Sequence, residues 1–174
     1  MLVTVMGVSG VGKTTVGSLL AERLGWPFVE GDDFHPAANV EKMRRGEPLD
    51  DADRAPWLRA LRERIDELAA AGRSAVVTCS ALKASYRDEL ARGRPELRFV
   101  WLVAPPDQIR ARLRGRHGHF MPADLLASQL ATLEPPDDAI RVDAMQPPEK
   151  IVAAIRRAID ATPTGTRACP VTPR

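Results

Sequence analysis

Eight residues near the start of the chain, Gly7 to Thr14, read GVSGVGKT, and they stand between a short apolar run, LVTVM, and a helical pattern. The run Leu2 to Met6 carries no charge, as expected of a strand buried on both faces. From Lys13 to Leu24 the apolar residues Val16, Leu19, Leu20 and Leu24 recur at three- and four-residue spacing, which predicts a helix. A glycine-rich turn between a buried strand and a helix start constrains the fold strongly. The glycines let backbone N–H groups wrap an anion, and the helix dipole adds to the attraction. The stretch matches G-x-x-x-x-G-K-[ST] in full, in the strand–loop–helix context that gives the motif its meaning. It therefore predicts a phosphate cradle made by Gly7, Val8, Ser9, Gly10, Val11, Gly12, Lys13 and Thr14. Lys13 supplies charge to the β/γ-phosphates, and the Thr14 hydroxyl is a candidate Mg²⁺ ligand.

The remaining pattern alternates. "FVEGDD" reads as a second strand ending in acids. His35–Arg45 and Ala55–Ala71 read as helices divided by "GEPLDDADR". Strands follow over Ser74–Cys79, Leu97–Val103 and "AIRVDA", with helices over "KASYRDELARG", "PPDQIRARLRGR", "ADLLASQLATLE" and "PPEKIVAAIRRAI". Strands that alternate with helices predict a mostly parallel sheet covered on both faces. The chain's 174 residues suit one domain. The tail from Ala161, rich in Pro and Thr, has no periodicity and reads as disordered.

Composition excludes several classes. A formal charge of +2 gives no basic stripe for nucleic acid. Cys79 and Cys169 lack C-x-x-C spacing, so neither a disulfide framework nor a zinc site is expected. No apolar run reaches the ~20 residues of a membrane span, and the first residues do not read as a signal peptide. A cytoplasmic protein is the expectation. A GTPase switch would carry D-x-x-G and N-K-x-D, and neither is found.

A nucleotide needs an acceptor. Ligands of open parallel sheets bind at the carboxyl ends of strands. Asp32 at the end of the second strand is thus placed to orient a hydroxyl, take its proton, or hold a metal-bound water. The competing role for Asp32 or Asp33 is a helix cap. Asp32 is assigned the chemistry and Asp33 a structural part. Lys83 and Arg87 lie four apart and suit an anionic acceptor, although a solvated face would read the same way. "DDADRAPWL" adds Asp53 and Arg54, which can grip a polyol, and Trp57, which reads as core. "RLRGRHGHFMP" concentrates Arg112, Arg114, Arg116, His117 and His119 around Gly115 and Gly118, with Phe120 and Met121 read as a latch to the core. Arg112 and Arg116 share a helix face and fit a lid over a transferring phosphate; a basic surface helix is the alternative.

The blocks "GVSGVGKTT", "GDDFHPAANVEKMRRGEPLDDADRAPWL", "CSALKASYRDELA" and "GHFMPADLLASQLATLEPP" run in order from Gly7 to about Pro136. In them the sequence resembles the bacterial-type gluconokinases, P-loop kinases similar to shikimate and nucleoside monophosphate kinases. The resemblance implies a five-stranded parallel P-loop NTPase fold in residues 1–160. An acceptor-binding segment is expected at about 33–72 and a lid at about 113–122. It implies ATP and Mg²⁺, D-gluconate phosphorylated on its 6-hydroxyl, and a homodimer. Taken together with the residue readings above, Lys13, Asp32 and Arg116 are assigned as catalytic, with Arg112 joining the phosphate loop on the nucleotide. Asp32, His35, Asp53, Arg54, Lys83 and Arg87 bind the acceptor, and Thr14 holds Mg²⁺ with Asp32 acting through water. Val11 and Thr14 stand where many members carry Ser; Thr keeps the hydroxyl. Shikimate kinase and adenylylsulfate kinase are the nearest enzymatic rivals, and a nucleotide-dependent switch is the rival of another class.

Overall fold

The structure is a computed structural model that describes residues 1–115 and 125–161. Five strands form one sheet in the order β2-β3-β1-β4-β5. They are β1 (Leu2–Met6), β2 (Phe28–Val29), β3 (Ala75–Cys79), β4 (Leu97–Val103) and β5 (Ile140–Asp143). Every pairing is parallel, with Met6 beside Cys79 on one flank and Trp101 on the other. The helices are α1 (Lys13–Leu24), α2 (Ala37–Arg44), α3 (Asp51–Ala70), α4 (Ala84–Ala91), α5 (Pro106–Arg114), α6 (Leu125–Thr132) and α7 (Pro148–Ala161).

Strand alternation divides the core. Val3 and Val5 of β1 face a cluster that holds Leu20 of α1, Ile109 of α5 and Ile155 of α7. Leu2 and Met6 face the opposite cluster, built with Leu61 and Ile65 of α3 and Leu90 of α4. Burying a leucine as fully as Leu61 stabilises the fold by about 1.5–3 kcal/mol. A smaller cluster of Met43, Leu49 and Leu125 joins the segment around α2 to the start of α6. No helix among the described residues is long and apolar enough to cross a membrane.

Several boundaries differ from the expectation, and three of the differences reshape the segment between β2 and α3. β2 is only two residues long; the acids lie beyond it, in a 3₁₀ turn over Gly31–Phe34. The turn is forced by contact with β3. The Gly31 N–H donates to Thr78 Oγ1 (3.0 Å), and a Cβ on Gly31 would stand 1.9 Å from the Thr78 carbonyl oxygen. Only glycine fits, and the chain bends there. α2 starts at Ala37 rather than His35, because Pro36 holds its predecessor extended, at φ −66 and ψ 130. α3 starts at Asp51 rather than Ala55. Asp50 and Asp53 form a reciprocal capping box that opens the helix in what the apolar spacing alone reads as a break. The lid, with Arg116, His117, His119, Phe120 and Met121, falls mainly outside the described residues, as does the Pro/Thr tail beyond Ala161 with Cys169.

Candidate active site

The phosphate loop takes the form its sequence requires. Gly7, Gly10 and Gly12 all have positive φ. At Gly12, φ is 107 and nothing lies within 4 Å of a built Cβ, so that side of the loop is open to a ligand. Val8 and Val11 turn their side chains into the core, which leaves their backbone to line the loop. The Gly7 N–H donates to Ser80 O (3.3 Å), tying the loop to the end of β3. Lys13 Nζ donates to Val8 O (3.2 Å), so the lysine arches over the loop from the first residue of α1. Thr14 follows it, exposed. One tether was invisible in the motif. The Ser9 N–H donates to Gln129 Oε1 at 2.7 Å, a buried contact across 120 positions.

A cleft of about 540 Å³ opens beside the loop, and Ser9, Lys13, Asp32, His35, Arg54 and Gln129 are among the residues that line it. Asp32 is positioned by its turn. Its N–H approaches Glu30 Oε1 (3.5 Å), while the carbonyl of Gly31 accepts from Trp57 Nε1 (2.7 Å). Trp57 is core, as expected, and it is also a wall: the His35 ring stacks on it at 4.3 Å with 11° between planes. Burial pushes the His35 pKa down to about 4, with Asp32 opposing and Arg54 adding to the shift. The imidazole is therefore neutral near pH 7. Arg54 comes from the first turns of α3, with a largely buried side chain.

A second cleft, about 740 Å³, lies on the other side of the loop, lined by Gly10, Gly12, Thr15, Arg112 and Gln146 among others. Arg112 reaches across it, donating to Val11 O (3.3 Å) and Ala144 O (2.9 Å). The two clefts share the phosphate loop as their common wall.

A family model described as an AAA domain matches residues 2–136. Among solved structures, a sugar kinase from Janibacter sp. superposes with a TM-score of 0.85 at 49% identity, over 91% of this chain and 94% of that one. A gluconokinase from Sinorhizobium meliloti superposes with a TM-score of 0.79 at 46% identity, over 91% of this chain and 93% of that one. A gluconokinase from Gluconobacter oxydans is 52% identical over 160 residues, which covers 90% of each chain. The chain belongs to the gluconokinase family.

Not every acceptor residue expected from the gluconokinase resemblance reaches the cleft. Asp53 is occupied elsewhere. It accepts from the Asp50 N–H (2.9 Å) in the capping box and from Lys42 Nζ (2.5 Å) of α2. Lys83 precedes α4 as its N-cap instead of sharing a face with Arg87, and its ammonium sits 2.7 Å from Asp51. Arg87 is buried and donates to Ala81 O (3.1 Å) and Leu82 O (3.3 Å), where it braces the loop after β3. Among the described residues the fixed cations that line the acceptor cleft are thus Lys13 and Arg54. Gln129, which lines the cleft, is a residue that sequence reasoning passed over. A signal was present: it occupies a buried position on the helix stripe of Leu125 and Leu126, where an apolar residue is the rule.

Proposed function

We propose that this member of the gluconokinase family transfers the γ-phosphoryl group of ATP to the 6-hydroxyl of D-gluconate, giving 6-phospho-D-gluconate and ADP. The observation that carries the reading is that Lys13 and Asp32 line one cleft, with Arg54 in the same wall set. The loop amides and Lys13 hold the phosphates, and the second cleft, between Arg112 and Gln146, takes the nucleoside. Asp32 orients the acceptor hydroxyl. The hydroxyl oxygen forms a bond to the γ-phosphorus, the bond from that phosphorus to the β,γ-bridging oxygen breaks, and the hydroxyl proton passes to the Asp32 carboxylate. Arg54 takes the acceptor's carboxylate, because a planar guanidinium matches a carboxylate in two parallel hydrogen bonds. The neutral His35 ring offers hydrogen bonding to sugar hydroxyls without drawing the carboxylate away from Arg54.

The donor set fits Mg²⁺ of the kind that keeps most of its waters. The Thr14 hydroxyl is exposed at the helix start, Asp32 lines the cleft, and no cluster of three or more His, Cys, Asp or Glu cages a metal among the described residues. When bound, the cation would offset charge on the phosphates. Arg116, beyond the described residues, belongs to the same proposal as a lid arginine that steadies the transferring group. So do the single kinase domain over 1–160, the acceptor segment at 33–72, the lid at 113–122, a homodimer and a cytoplasmic setting where ATP is supplied.

The test is a coupled ADP-release assay with D-gluconate, shikimate and a panel of aldonic acids. Fast ADP release with gluconate and little without it is expected. Equal release with no acceptor would make the protein a hydrolase or switch, and preference for shikimate would move it to the rival kinase class.

A further inference from the structure

Arg54 does not stand alone at the cleft wall. Its Nη1 donates to the Tyr86 hydroxyl oxygen (3.3 Å) and lies 3.7 Å from Asp51 Oδ1. Its guanidinium carbon sits 5.8 Å from the centre of the Tyr86 ring. The Tyr86 hydroxyl donates in turn to Asp51 Oδ1. Lys83 closes the group, with its ammonium 2.8 and 2.7 Å from the two Asp51 oxygens. Two residues come from the first turn of α3 and two from the start of α4, so the group is built where the two helices converge.

We propose that Tyr86, acting with Asp51, is a positioning residue that turns the Arg54 guanidinium toward the acceptor's carboxylate and so sets the preference for an acid over its neutral counterpart. The inference rests on the assignment of that carboxylate to Arg54. Three features carry it. Both polar contacts of Arg54 are made by Nη1, so the guanidinium is gripped at one corner, and its other donors make no hydrogen bond to a described residue. The Arg54 side chain is only 13% exposed, so its direction is decided by neighbours rather than by water. Lys83 balances the Asp51 charge; Asp51 can therefore anchor Tyr86 without presenting an uncompensated negative group to an incoming anion. The same pairing explains why Lys83, close by and cationic, is not itself the anion receptor.

The phenol oxygen is the specific element, since the ring alone would fill the space. Steady-state kinetics of the full chain, its Tyr86→Phe variant and its Arg54→Met variant test the idea, with D-gluconate and D-gluconamide as acceptors at saturating ATP. Phe keeps the buried ring, and thermal melting checks that the fold is unchanged. In Tyr86→Phe the KM for gluconate should rise about five- to tenfold, the scale of the net contribution of one ordinary hydrogen bond, because the phenol acts on the acceptor only through Arg54. The kcat and the kcat/KM for gluconamide should stay near wild type, as should the KM for ATP measured separately at saturating gluconate. An unchanged gluconate KM, or an equal loss on gluconamide, would overturn the positioning role, because a merely structural defect would not distinguish the two acceptors. Arg54→Met separates the two layers of the argument. If it raises the gluconate KM while Tyr86→Phe does not, the positioning inference falls and the Arg54 assignment stands. If Arg54→Met leaves the gluconate KM at wild type, the Arg54 assignment itself falls and takes the inference with it.

Discussion

The two walls of the cleft are built in opposite ways. The donor wall is one unbroken stretch, Gly7 to Thr14, and it is built on backbone: positive-φ glycines and buried valine side chains. The acceptor wall gathers Asp32 and His35 from the segment after β2, Arg54 from α3 and Gln129 from α6. It works through side chains, each held by partners distant in sequence. Trp57 carries His35, Tyr86 holds Arg54, and Thr78 bends the chain at Gly31. A backbone cradle recognises phosphate, which looks alike in every nucleotide. A wall of separately mounted side chains can be retuned residue by residue, which suits the part that chooses the acceptor.

The contrast is tested most severely at Lys13, the side chain that arches over the donor wall. Lys13→Ala should lower kcat by about 10³-fold or more, the scale expected when a charge aimed at a transferring phosphoryl group is removed. Melting should be little changed, because the described polar contact of Lys13 is a single bond to Val8 O. Steady-state turnover with gluconate checks the first point, and a kcat near wild type would show that the backbone alone suffices.

Asp32 tests the opposite wall. Asp32→Asn keeps the shape of the turn, since the Gly31 and Asp32 N–H groups rather than the carboxylate make the anchoring bonds. It removes the proton acceptor. A fall in kcat of about 10²-fold with nucleotide affinity retained is the expected outcome. Calorimetric titration with a non-hydrolysable ATP analogue measures the second part. A parallel loss of nucleotide binding would mean that the walls do not divide the work as their construction suggests.

The same contrast explains what could be read before the fold was known. α1 and β4 lie at their expected bounds, and β1 spans the expected run, because apolar spacing and a glycine break are local signals. The phosphate loop was legible for the same reason. The acceptor wall was legible only in part. Asp32, His35 and Arg54 reach the cleft, while Asp53, Lys83 and Arg87 do not. The three absentees have nearer partners: a capping box, a carboxylate one helix away, and the carbonyls of the preceding loop. No count of charges in the sequence reveals which of them will be consumed in this way. Tyr86 and Gln129 were missed for the complementary reason. Each acts through a contact that exists only when α3 meets α4, or α6 meets the loop. Those packings are long-range and leave only a faint local trace.

His35 provides the mildest test, through stability rather than turnover. Its folded pKa is about 4 against an ordinary value of 6.5, chiefly because the ring is buried on Trp57. The unfolded chain therefore binds a proton that the folded chain refuses across that interval. The stability His35 contributes is complete above the unfolded value and is lost as pH falls toward the folded one. Lowering the pH from about 7.5 to about 5 should cost on the order of 2 kcal/mol at this residue. The carboxylates of Asp51 and Asp53 do not confound the window, since Lys83 and Lys42 respectively hold them below the usual carboxylate range. Urea unfolding at several pH values, with wild type beside His35→Asn, reads the slope directly. The variant should show a flatter dependence between those limits, whatever its absolute stability. Equal slopes would mean that the ring is solvated in the folded protein, and that the acceptor wall is looser than its stacked geometry implies.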